Sequence, residues 1–290
     1  MDVQSDIWSE WLLRGRFGGD SERMQKALAF LCPVRDRVLD HARLADHDVL
    51  LDVGCGDGLI AFGALERNPS VTVIFSDISQ ALLDQARALA EGAGLLDRCR
   101  FLLAPAEDLA AISDDSVDVV TIRSVLIYVK AKEQAFREFH RVLRAGGRLS
   151  LFEPINRFGQ PEPGHLFGGY DVTPVQNLAE KVKAVYRALQ PAESDPMLDF
   201  DERDLLALAQ RSGFSEIHLQ YEADVQPASP ERWDAFMNIP GNPKIPSVRD
   251  AMRQTLTPDE AERLSAQLER AYQGGQGSAH SAVAYLWAVN

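Results

Sequence analysis

The strongest constraint on the fold is a glycine turn set directly after an apolar run: residues 50–59 read LLDVGCGDGL. Gly54, Gly56 and Gly58 follow so short a run that it reads as a buried strand turning sharply into a helix. From that point the pattern alternates. DVLLDVG (48–54), VTVIFSD (71–77), RCRFLLA (98–104), SVDVVTIRS (116–124) and RLSLFEP (148–154) read as strands. Helical stretches stand after the first, second and fourth of these: LIAFGALERN, SQALLDQARALAEGAG with Ser79 as its N-cap, and KEQAFREFHRVLRAGG. Parallel strands need crossovers and cannot be joined by tight hairpins, so this rhythm implies a doubly wound sheet with helices on both faces. Adding strands at about 215–223 and 281–289 gives an α/β fold with a seven-stranded, mostly parallel sheet.

The flanks break the rhythm. Residues 5–13 place Ile7, Trp8, Trp11 and Leu12 on one helical face, RGRFGGD ends that helix, a second spans 21–31 with Met24, Leu28 and Leu31 inward, and Pro33 opens a third reaching about Leu44. Residues 154–200 are rich in Pro, Gly and aromatics apart from a helix near 175–189, and 226–279 form a second interruption. The expected organisation is therefore a helical cap over 1–44, a core over 45–154, an insertion over 155–200, the rest of the sheet in 201–225 and 280–290, and a second insertion over 226–279.

Charge narrows the partners. At a net −13 the chain lacks the basic surface that supplies most nucleic-acid affinity, so no nucleic-acid partner and no anionic membrane surface is expected. The start, MDVQSDIWSEW, has no basic n-region followed by an apolar stretch, and no apolar run reaches the ~18 residues of a spanning helix. Cys32, Cys55 and Cys99 form neither a disulfide framework nor a CxxC knuckle, and no His/Cys/Asp cluster has metal-ligand spacing. A cytoplasmic, metal-free protein is the expectation.

The turn itself is not a dinucleotide fingerprint. G-x-G-x-x-G would need a third glycine where Leu59 stands; the motif is G-x-G-x-G, with Asp52 two residues before it. Asp77, closing the second strand, sits where a carboxylate accepts from ribose hydroxyls. The reading is a nucleoside site not tuned to a pyrophosphate.

With these residues in hand, the sequence resembles the class I S-adenosylmethionine (SAM) dependent methyltransferases, whose fold is Rossmann-like. LLDVGCGDG resembles the first motif of that family, FSDIS the second, APAEDL the third and VDVVTIRSVLIYV the fourth. FREFHRVLRAGGRLSLFEP resembles the approach to strand five in the ubiquinone-biosynthesis-type subgroup. The resemblance implies SAM as cofactor. Gly54 and Gly56 would leave room for its amino-acid tail, with Asp52 near the ammonium, and Asp77 would hold the ribose. Ile78 would pack on adenine, with Ala106 and Glu107 at the adenine edge and the Arg123 backbone facing the tail. Pro105 replaces an aspartate common in relatives, which shifts adenine recognition onto Ala106, Glu107 or Asp108. Arg14 and Arg16 are further candidates for the cofactor carboxylate or an anionic acceptor.

Ligands of open parallel sheets bind beyond the carboxyl ends of the strands, so both interruptions are expected over that edge, covering a small, partly apolar acceptor. Phe158, His165, Phe167, Tyr170, Tyr186, Trp233, Phe236 and Met237 would line the pocket. Methyl transfer needs a base only where the acceptor must lose a proton, and Glu153, His165 and Tyr170 with Asp171 are the candidates. The expected activity is methylation of a small molecule of prenyl, quinone or other secondary-metabolite type by a monomer or homodimer. A macromolecule methyltransferase, a non-catalytic SAM-binding module and a nicotinamide-dependent oxidoreductase are the competing readings. Acceptor identity and the atom methylated stay open.

Overall fold

A computed structural model describes residues 6–12, 21–228 and 233–290. In chain order the strands are β1 (Val49–Val53), β2 (Thr72–Asp77), β3 (Cys99–Leu103), β4 (Val117–Arg123), β5 (Leu143–Pro154), β6 (Leu166–Phe167), β7 (Tyr170–Asp171), β8 (Ser215–Pro227) and β9 (Ser278–Val289). The helices are α1 (Ile7–Glu10), α2 (Ser21–Ala42), α3 (Leu59–Arg67), α4 (Gln80–Gly92), α5 (Lys132–Val142), α6 (Gln176–Leu189), α7 (Glu202–Arg211), α8 (Trp233–Asn238), α9 (Val248–Thr255) and α10 (Pro258–Gln273).

Seven strands form one sheet in the order β3-β2-β1-β4-β5-β9-β8, as the alternation implied. The first five are parallel; β9 is antiparallel to both β5 and β8, so β8 runs with the first five. Period-two side chains divide the core. Leu51, Val53, Val120 and Ile122 face one apolar layer with α5 and α7, while Leu50, Val73 and Val119 face the other with α2, α3 and α4.

The expectation for the amino-terminal helices needs correction. The helix expected to end before Pro33 runs through it, as the single helix α2. A mid-helix proline deletes one i→i−4 bond, yet Val34, Val38, Leu39 and Ala42 are buried against the sheet and the Ser150 hydroxyl donates to the Val38 carbonyl at 2.7 Å. Tertiary packing outweighs the local penalty. Of the residues expected inward, Leu31 is buried and Leu28 is 40% exposed, while the Met24 side chain lies outside what the structure describes. The two insertions pack together. Both leave the sheet at the carboxyl edge of the parallel strands. Phe167, Tyr170, Val172, Leu178 and Val182 from the first pack with Met237, Met252, Leu264 and Leu268 from the second, in a third apolar core. They form one cap.

Candidate functional site

The cofactor-sized cavity lies where β1, β2 and β4 end, and backbone geometry builds its floor. Gly54 has φ +63°, and a Cβ added there would stand 2.4 Å from Val125 Cγ2, so only glycine lets the turn pass beneath the β4 loop. The Gly56 N–H donates to Asp77 Oδ2 at 2.8 Å, and Ser79 N–H donates to Oδ1 at 2.9 Å. Asp77 therefore ties the turn to the start of α4 while lining the cavity. Burial pushes its carboxyl up, and these amide donors act against that shift.

Around this floor stand Gly54, Gly56, Ile78, Ala106, Glu107 and Arg123, six more of the residues the sequence singled out. The space is about 390 Å³. Ile78 is 53% exposed, which suits an apolar surface offered to a ligand. On the open side, α1 brings Trp8, Trp11 and Leu12 over the cavity. Asp6 caps this short helix, accepting from Trp8 N–H and Ser9 N–H, both at 2.9 Å, and its second oxygen accepts from the Ser79 hydroxyl at 2.6 Å. Trp8 then meets Tyr128 edge-on with ring centroids 4.8 Å apart. Tyr128, Asn156, Met197 and Gly241 also line the cavity, and sequence reasoning missed them. Only Tyr128 carried a signal, since it lies in the quoted IRSVLIYV stretch. Arg14 and Arg16 lie outside the described residues.

Two expected carboxylates do other work. Asp52 is 2% exposed and is absent from the cavity wall. Its oxygens accept from the Thr121 hydroxyl at 2.9 Å and the Ala61 N–H at 3.2 Å, stapling β1 to β4 and to α3. Burial pushes its carboxyl up to about 7 despite these donors. Glu153 is wholly buried, and its oxygens accept from Val125, Leu126 and Ile127 N–H at 2.9, 2.9 and 3.3 Å. Burial again outweighs the three amides and pushes it to about 7. A base needs a lone pair aimed at the acceptor, whereas these oxygens hold the loop that forms the cavity wall.

The other base candidates belong to the cap. Tyr170 is buried among Trp233, Phe236 and Tyr272, and burial raises its phenol. His165 is exposed beside the β6–β7 hairpin, and Asp171 turns back to accept from Thr173. Phe167 and Met237 lie in the cap core, with Tyr186, Trp233 and Phe236 packed against it, and Phe158 lies between Tyr221 and His280. Among the described residues, none of these nine lines the cavity.

A second chamber of about 500 Å³ lies between the cap, β9 and α2. It shares Arg123, Ser124, Pro154 and Asn156 with the first cavity, so the two meet at the ends of β4 and β5. Among the described residues, no group of three or more His, Cys, Asp or Glu has the geometry to hold a metal, and no helix is long and apolar enough to cross a membrane.

Comparison with known proteins follows the same outline. Residues 51–151 match the family model described as "Methyltransferase domain". Over 139 residues the chain is 36% identical to the ubiquinone/menaquinone biosynthesis C-methyltransferase UbiE of Dinoroseobacter shibae, covering 48% of this chain and 53% of that protein. Over 151 residues it is 31% identical to the tRNA 5-carboxymethoxyuridine methyltransferase of Escherichia coli K12, covering 52% and 56%. The chain spans about half the length of these curated relatives. Geranyl diphosphate C-methyltransferase from Streptomyces coelicolor A3(2), solved with Mg2+, geranyl diphosphate and S-adenosyl-L-homocysteine, shares the fold at TM-score 0.54 and 17% identity, covering 93% of this chain and 85% of that one. Over residues 51–151 the chain is similar to the methyltransferase-domain family, and the curated relatives it matches there are methyltransferases.

Proposed function

We propose that the chain transfers a methyl group from SAM to a small molecule enclosed beneath the cap. The observation carrying this reading is the junction of two cavities at the carboxyl edge of the sheet: one walled by the glycine turn and Asp77, the other lying under the insertions. The residues of the first cavity fit the cofactor. Asp77 would accept from the ribose hydroxyls, and Ile78 with Leu82 would cover an adenine face. Ala106 and Glu107 would meet its edge, and Gly54, Gly56 and the end of β4 at Arg123 would flank the amino-acid tail. Bound there, SAM supplies an electrophilic methyl on a sulfonium, which leaves as a neutral thioether.

The protein's part is positioning and exclusion of water. Trp8 and Trp11 close the outer side, and Glu153 holds residues 125–127 where they form the wall. With both oxygens of Glu153 taken by amides, and with His165 and Tyr170 in the cap, an acceptor arriving already deprotonated, or with a neutral lone pair, suits this junction. In this reading residues 45–154 bind the cofactor, and 155–200 with 226–279 select the acceptor.

One curated relative is named for tRNA modification, so kinship alone does not choose between small-molecule and macromolecular acceptors. The net charge of −13 favours the small molecule. Methyl-labelled SAM incubated with the chain and a cell extract, then fractionated, tests this. Label in the small-molecule fraction is the expected result; label confined to RNA or protein would overturn the acceptor class. Calorimetry with S-adenosylhomocysteine checks the cofactor separately, and no binding would remove the whole reading.

A further inference from the structure

We infer that the second chamber is the acceptor site and that it selects an amphiphile with an apolar body and a single carboxylate head, held by Arg123. The inference rests on the proposed function for the role of the first cavity, and on the chamber itself for the chemistry. Phe30, Leu31, Phe152, Ile155, Leu166 and Val283 give it apolar walls. Phe30 is 59% exposed in α2, an apolar surface that an enclosed ligand would cover.

The charges are few. Arg123 is the one Lys or Arg among the described residues of either wall, and it stands where the two cavities meet. Its side chain is only 11% exposed, yet its nearest described carboxylate, Asp57, is 4.0 Å from Nη2. That separation is too long for a hydrogen bond, which leaves the guanidinium fork free for a planar bidentate acceptor. The chamber's carboxylate, Glu162, holds the β6–β7 turn: its oxygens accept from Gly168 and Gly169 N–H at 2.9 and 2.7 Å. Among the described residues of the chamber the one carboxylate stands at the β6–β7 turn while Arg123 stands at the junction, so a head placed at the junction meets a cation, and one guanidinium matches one negative charge better than a diphosphate. An amine acceptor is disfavoured and a monocarboxylate favoured.

The test uses the full chain saturated with S-adenosylhomocysteine and calorimetric titration of decanoate, decylamine, decanol and decyl phosphate. Decanoate should bind at least about tenfold more tightly than decylamine, the scale of one charge-assisted hydrogen bond. Arg123→Gln should bring decanoate down to the level of decanol, while Arg123→Lys retains part of the preference. Ala279→Trp, which fills the chamber from an exposed position on β9, should abolish decanoate binding and leave S-adenosylhomocysteine affinity unchanged. Equal binding of decylamine and decanoate, or decanoate binding that survives Ala279→Trp, would overturn the assignment. A tenfold preference for decyl phosphate over decanoate would overturn the single-charge head. If Arg123→Gln weakens the homocysteine product and spares decanoate, the guanidinium serves the cofactor and the inference fails. Loss of S-adenosylhomocysteine binding by the unaltered chain would instead count against the proposed function.

Discussion

The two cavities that meet at Arg123 are walled by opposite means. The first is held by backbone: a turn locked by positive φ, and three buried carboxylates, Asp52, Asp77 and Glu153, each accepting from amides or a hydroxyl. The second is held from above by a cap whose interior is aromatic and aliphatic packing, Phe167 and Tyr170 against Met237, Leu264 and Leu268. Buried carboxylates fixed by backbone amides tolerate little substitution, whereas an apolar core accepts volume-conserving swaps at less than about 1.5 kcal/mol. The difference teaches where variation is affordable. The wall that would meet a fixed cofactor is rigid, and the wall that would meet the acceptor can be repacked.

The sharpest way to break this contrast is to empty the cap core. Leu268 is wholly buried there, and Leu268→Ala should cost about 2–5 kcal/mol, measured by urea unfolding. The affinity for S-adenosylhomocysteine should stay within twofold while methyl transfer falls. Equal loss of both would show that the cap also shapes the first cavity.

A smaller effect follows at the turn. Gly54→Ala places a Cβ against Val125 in a left-handed backbone, a strain of about 1–3 kcal/mol. Affinity for S-adenosylhomocysteine should drop about tenfold with the cap intact by near-ultraviolet circular dichroism. Unchanged affinity would mean that the turn does not touch the ligand.

The smallest expected effect sharpens the electrostatic side. Asp52 titrates near 7 when folded, against 3.8 for the ordinary group, because burial opposes its charge. The folded state therefore holds the proton more tightly than the unfolded chain. Stability from this group is full below about pH 4, declines as pH rises toward 7, and is flat above it. Asp52→Asn removes that slope, so the stability of the variant relative to the natural chain should rise between pH 5 and pH 8, by at least about 1 kcal/mol. Denaturation at the two pH values measures it. A difference independent of pH would show that the folded Asp52 keeps its ordinary pKa.

Much of the first region was legible because its determinants are local. A strand of four apolar residues and an aspartate, three alternate glycines and a carboxylate closing the next strand all fall within one strand–helix–strand unit, so their spacing carries the geometry. Asp52 and Glu153 were read as facing a ligand because sequence shows which strand end holds a carboxylate but not which way it turns. Their partners, Thr121 and Val125–Ile127, lie 69 and 26–28 positions away. The helix through Pro33 was misread for the same reason: its support comes from Ser150 and the sheet.

The sequence by itself determined the sheet, the shared direction of its first five strands and the placing of Gly54, Gly56 and Asp77 at one edge, because hydrophobic period and turn chemistry are short-range. Only the tertiary structure decided that the two insertions share a core, that Tyr170 belongs to it and not to the cavity, and that Arg123 stands between two chambers. Those outcomes depend on which apolar faces cover one another across more than a hundred residues. The hydrophobic effect that joins them has no direction of its own.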